Sequence, residues 1–336
     1  MVLKKKIGAK RIVFVYAFTT AALLLLLFAS VNIGSIKVTP MQMLKGLFVA
    51  YDEQVATIYH LRFPRIFIAM AGGAAVAVSG VLLQAVMKNP LADPGILGIS
   101  SGASLASVLM TMFFPAMFFS IPVFAFFGGI AACALVYVLS WKGGLHPLRV
   151  ILTGVAVNAF FTGLLSAGNS MLGKDYNGAA SIIDGNISMK TWEDFKMLIF
   201  YTVIGLVLSL VLAKYCDILG LEDKTILSLG IHVNAARMGI SVVAVLLASV
   251  STAVMGSISF LGLLVPHIAR LLVGSSHKIL LPYTMILGAF TLLAADTLGR
   301  TIAYPYEISA AVVMAVIGGP CFILLLRRSA HTYEQA

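Results

Sequence analysis

Charge is what this sequence has least of. Lys, Arg, Asp and Glu make up 11% of its 336 residues, where an ordinary soluble chain carries about 25%. Hydrophobic residues make up 60%, and the mean hydropathy is +1.01. A water-soluble fold of this length could not hide so much apolar surface, so the solvent is lipid. Counting soluble domains from length does not apply. A single transmembrane domain over residues 1–336 is expected. Its first helix is retained rather than cleaved, because the apolar run from Ile12 to Val31 is long enough to span.

Other absences narrow the chemistry. No G-x-x-x-x-G-K-[ST] loop occurs, so ATP is not bound by this chain. No His-x-x-x-His or Glu-x-x-His set falls within the apolar runs, and the six histidines are scattered. His267 beside Pro266 reads as a packed helix-end residue. No metal site, catalytic residue or resident cofactor is therefore expected. Cys133, Cys216 and Cys321 form no C-x-x-C pair and read as buried thiols. Acids number 13 against 23 basic residues, a net charge of +10. Nucleic acid is not the reason. Lys4, Lys5, Lys6, Lys10 and Arg11 precede a long apolar run, and the other cations fill short gaps between runs, as in loops anchored beside anionic lipid. Charges deep in the runs are scarce, which counts against an ion-coupled secondary transporter, though that class stands as the alternative. An intramembrane enzyme would need clustered catalytic groups that are not found.

What is present is apolar length. Runs fall at about 12–33, 64–86, 94–112, 118–140, 148–170, 196–215, 238–256, 258–269, 279–297 and 309–326. The fold class is all-α and polytopic, with about ten transmembrane helices. The third and eighth runs are short, which hints at a pathway. With the N-terminus inside, 15 of the 23 Lys and Arg fall in inner segments and 8 in outer ones, so both termini are expected in the cytoplasm. Outer segments 34–63 and 171–195 read as a capping surface, and 216–237 as a cytoplasmic coupling segment.

Four stretches carry more information. Gly72, Val76 and Gly80 share a helix face with small neighbours, a pattern for close helix packing in lipid. Asn89-Pro90-Leu91-Ala92-Asp93-Pro94 is a polar turn between two spans, with Asp93 placed to cap the third helix and Pro94 at its first position. Arg62 and Arg65 flank Pro64 at the expected outer start of a helix, where guanidinium forks suit carboxylates; an interfacial snorkelling pair is the other reading. Leu221-Glu222-Asp223-Lys224-Thr225-Ile226-Leu227-Ser228-Leu229-Gly230 opens with acids, exposes Leu221, Ile226, Leu227 and Leu229, and breaks at Gly230. Such an apolar patch fits a protein partner or the underside of its own bundle.

Leu61-Arg62-Phe63-Pro64-Arg65, Gln84 and Asn89-Pro90-Leu91-Ala92-Asp93-Pro94 resemble the permease family of cobalamin, haem and iron-siderophore importers, the FecCD type. So do Gly256-Ser257-Ile258-Ser259-Phe260-Leu261-Gly262-Leu263-Leu264-Val265-Pro266-His267 and Ala295-Asp296-Thr297-Leu298-Gly299-Arg300. The match runs from about residue 10 to 328 in order. The resemblance implies ten helices per subunit and a bacterial cytoplasmic-membrane importer. It implies a second permease subunit, a pair of ATPase subunits that hold ATP and Mg, and an extracytoplasmic substrate-binding protein. It assigns Arg62, Arg65 and Arg300 to binding-protein docking and Asn89 and Leu91 to a cytoplasmic gate. Leu221, Ile226, Leu227, Leu229 and Gly230 fall to ATPase coupling. The residues do not fix the cargo; ferric siderophore is favoured, then haem, then cobalamin, and the permease pair is a homodimer or a heterodimer. Two departures stand out: Ile182-Ile183-Asp184-Gly185 lacks the family's aromatic, and Glu307-Ile308-Ser309-Ala310-Ala311 replaces Glu-hydrophobic-Pro-x-Gly.

Overall fold

The computed structural model describes residues 8–33, 38–140, 147–172 and 185–333. Twelve α-helices follow in chain order: α1 (Ala9–Asn32), α2 (Pro40–Phe48), α3 (Glu53–Val86), α4 (Ile99–Phe113), α5 (Ile121–Ser140), α6 (Pro147–Leu172), α7 (Trp192–Leu219), α8 (Asp223–Ser228), α9 (Val233–Met255), α10 (Leu261–Val273), α11 (His277–Ile302) and α12 (Ala310–Tyr333). A short 3-10 turn, Pro115–Ser120, precedes α5. Each apolar run coincides with a helix. Among the described residues, seven helices are long and apolar enough to cross a membrane, and Ile99–Phe113, Leu261–Val273 and Ala310–Leu324 are shorter apolar helices. The chain is a multi-pass helical membrane protein.

Helix α3 is the axis of the bundle, packing against α7, α9, α10 and α11. Its small residues make this possible. A Cβ on Gly80 would stand 1.8 Å from the Gly262 carbonyl oxygen on α10, and one on Gly73 would stand 2.5 Å from that of Gly288 on α11. Backbone-to-backbone approach at these distances replaces the hydrophobic drive that lipid cannot supply. The Ser79 hydroxyl donates to the Ala244 carbonyl at 2.7 Å, tying α3 to α9. Helix α1, by contrast, is largely exposed along Phe14, Phe18, Leu25 and Phe28, as a lipid-facing outer helix would be.

Three expectations need correction. Helix α3 does not begin at the apolar run near residue 64 but at Glu53, where the Asp52 side chain accepts from the Gln54 and Val55 amides. A strong cap extends the helix through polar residues, and Pro64 is carried inside it. Asp93 does not cap α4. Its carboxylate accepts from Gly95 N at 2.7 Å and Ile96 N at 3.4 Å, closing a separate turn. The cap position of α4 is Gly98, at φ +73°, where glycine tolerates the left-handed backbone. His267 sits within α10 rather than at an end.

Candidate functional site

Three groups of residues draw attention: a cleft at the start of α3, a turn just past its end and a helix after the turn at Gly220.

The cleft, about 380 Å³, is lined by Arg62, Arg65, Ser188, Arg300, Tyr304 and Glu307 among others. Arg65 does not face outward as expected. It is 7% exposed, and its Nε donates to Asp296 Oδ1 at 2.9 Å while Nη1 meets Glu307 Oε2 at 2.7 Å. Moving α3's start back to Glu53 places Arg65 in the fourth turn, facing α11. Asp296, 0% exposed, also lies 3.2 Å from Arg300 Nε. Arg300 Nη2 donates to Ser30 Oγ at 2.6 Å. Arg62 Nη1 donates to the Val31 carbonyl at 2.7 Å, and the residue is half-buried. Three guanidinium groups face two carboxylates here, leaving the cleft cationic by one charge. Burial raises the Glu307 carboxyl, but the Ser188 hydroxyl and the Arg65 guanidinium outweigh it and hold the group below the usual carboxylate range.

The structure thus brings Arg62, Arg65 and Arg300 into one cleft. The anionic half, Asp296 and Glu307, was missed. The signal existed: Asp296 and Arg300 are four apart, on one helix face. Among the departures, Ser309 takes the cap of α12, its hydroxyl accepting from Val312 N at 3.4 Å. Ala311 fills the space that Gly185, at φ +60°, leaves open. Asp184 lies outside the described residues, as do Lys4, Lys5 and Lys6.

Past the C-terminal end of α3, Asn89 Oδ1 accepts from Leu91 N at 2.9 Å, and Asn89 N donates to the Gln84 carbonyl at 3.2 Å. Both residues are half-buried. Arg270 on α10 donates to the Gln84 side chain, so turn, α3 and α10 are tied together.

The residues expected to couple to an ATPase separate by burial. Ile226 is 0% exposed and joins the core, whereas Leu227 and Leu229 are each 58% exposed and Leu221 is exposed too. The expectation that Ile226 is presented on the surface is corrected: α8 is a single short helix, and its one inward position falls at Ile226. Gly230, at φ +75°, makes the elbow into α9.

The model of the FecCD transport family matches residues 22–328. The chain belongs to that family. It is 39% identical over 327 residues to the iron(3+)-hydroxamate import system permease protein FhuG of Bacillus subtilis, covering 94% of this chain and 97% of that one. It is 37% identical over 296 residues to the probable haem-iron transport system permease protein IsdF of Staphylococcus aureus, with 88% and 90% covered. Among solved structures, one of an inward-facing metal-chelate type ABC transporter aligns with TM-score 0.79 at 27% identity, over 94% of this chain and 99% of that one. PsaBC from Streptococcus pneumoniae aligns with TM-score 0.57 at 16% identity, over 85% and 95%, which speaks for the fold alone.

Proposed function

We propose that this FecCD-family chain is the membrane-spanning subunit of an ATP-driven importer that carries an iron chelate across a bacterial cytoplasmic membrane. The observation that carries this reading is the end-to-end likeness to an iron(3+)-hydroxamate permease. Ferric hydroxamate is the first cargo class, then haem, then cobalamin. The subunit has ten spans and cytoplasmic termini. It works with a second permease, a pair of ATPase subunits and an extracytoplasmic binding protein.

The geometry supports the assignment of ends. The cleft around Arg62 and Arg300, cationic overall, suits acidic side chains of a docking protein. Helix α8, with Leu227 and Leu229 exposed, suits a groove on the ATPase, and the Asn89–Leu91 turn suits a gate. No covalent step is assigned to this chain.

Purification tests the reading first: the tagged subunit, expressed with its neighbours, should bring an ATPase subunit with it. Cysteine labelling tests the orientation. Lys278→Cys should react only from the cytoplasm and Tyr306→Cys only from outside; reversed labelling contradicts it.

A further inference from the structure

We infer that Lys88 is the strut through which movement of α8 reaches the inner turn, a positioning residue for transport rather than a stabiliser of the fold. The inference rests on the importer reading above.

Lys88 directly precedes Asn89. Its backbone is left-handed, at φ +48°, although it is not glycine. That conformation closes the end of α3, where Asn89 N donates back to the Gln84 carbonyl at 3.2 Å. The side chain makes its contacts at its far end. Nζ donates to the Leu221 carbonyl at 2.6 Å and to Asp223 Oδ1 at 2.9 Å. Leu221 precedes the cap residue Glu222, and Asp223 is the first residue of α8. One ammonium therefore clasps the entry of α8 at two points.

Asp223 is held from its far side as well. Arg237 Nη2, on α9, donates to its two oxygens at 3.0 and 3.2 Å. The carboxylate is a shared node between α9, α8 and the inner turn. The hydrogen bond from Lys88 is the largest cause that holds the Asp223 carboxyl below the usual carboxylate range, so the node stays charged at neutral pH.

The rest of α8 points elsewhere. Ile226 anchors it in the core, and its helix contacts are with α7 and α9. Among the described residues, the side-chain hydrogen bonds that join α8 to the inner turn are those of Lys88. Asp223 and Lys88 are both well exposed, and exposed ion pairs add little to stability. A contact worth little to the fold, yet spanning two segments that must move together, is placed for position. When α8 shifts, the clasp draws the backbone at Lys88 with it. The adjoining Asn89 Oδ1 to Leu91 N bond then shifts, and with it the turn that it shapes.

The test uses the complete importer in proteoliposomes, with ferric hydroxamate as cargo, reading chelate taken up per ATP hydrolysed. Lys88→Ala should lower that ratio by about ten-fold, within the span of a single coupling contact. Lys88→Arg, whose fork reaches the same two acceptors, should restore it. Asp223→Asn, which keeps the Leu221 carbonyl, should fall between. The yield of assembled complex is measured alongside. A purely structural role predicts reduced yield with an unchanged ratio, and that result overturns the strut, as does a normal ratio in Lys88→Ala with the wild type coupled. If the wild type shows no ATP-coupled uptake, the importer reading fails and takes the strut with it.

Discussion

Arg65 on α3 and Asp296 on α11 form a buried ion pair, 2.9 Å from both Nε and Nη2 to one carboxylate oxygen, and Glu307 closes its other side. Taking charges out of water is costly, and the facing guanidinium and carboxylate groups offset part of that cost. The pair joins the first half of α3 to the second half of α11.

The first prediction follows from that burial. Arg65→Ala leaves the Asp296 carboxylate with Arg300 alone. Removing one partner of a buried pair costs about 3–5 kcal/mol. The variant should lose detergent-stable yield and unfold at markedly lower temperature. Stability equal to wild type would show that the pair does not hold α3 to α11.

Arg62 should behave differently, since it lines the cleft but is only half-buried. Arg62→Glu reverses the cleft's one-charge excess while keeping the ion pair of Arg65. Folded yield should persist, and affinity for the binding protein should fall by about ten-fold or more, with a strong salt dependence. Titration of the purified protein pair checks this, and unchanged affinity removes Arg62 from the docking surface.

Helix α8 divides into two experiments. Leu227→Ala with Leu229→Ala removes two exposed side chains, so expression should be normal while ATPase association or stimulated hydrolysis is lost. Ile226→Ala empties a fully buried position, at a cost of about 2–5 kcal/mol, so yield should fall instead. The opposite division would mean that the leucines serve the bundle and not the partner.

Glycine positions give a sharp contrast. At Gly80 any side chain meets the Gly262 backbone, which cannot swing aside. Gly80→Ala should force α3 from α10 and destabilise by about 1–3 kcal/mol or more. At Gly230 a Cβ has open space but the backbone is left-handed. Gly230→Ala should cost about 1–2 kcal/mol from conformation alone, confined to the elbow. Thermal unfolding of both variants ranks them.

Much of this was legible in sequence because lipid imposes simple rules. Apolar length gave every long helix, and the small residues at Gly72 and Gly80 did mark close packing. What escaped was set by side chains distant in sequence. Nothing local to Arg65 says that it meets Asp296 and Glu307, separated from it by 231 and 242 residues. The start of α3 was misplaced because the Asp52 cap lies in a polar stretch, where hydropathy carries no signal. Ile226 and Leu227 are adjacent and equally apolar, so only the docked position of α8 decides which one is buried. The reach of Lys88 to Leu221 and Asp223 crosses over 130 residues.

The central claim is ATP-driven import of an iron chelate, and one measurement addresses it most directly. The permease is reconstituted into proteoliposomes with its ATPase and binding protein, and radiolabelled ferric hydroxamate is supplied on the side of the binding protein. The account predicts uptake that requires ATP on the opposite side, requires the binding protein, and persists when proton and sodium gradients are collapsed. Uptake that continues without ATP and stops when those gradients are removed would contradict it.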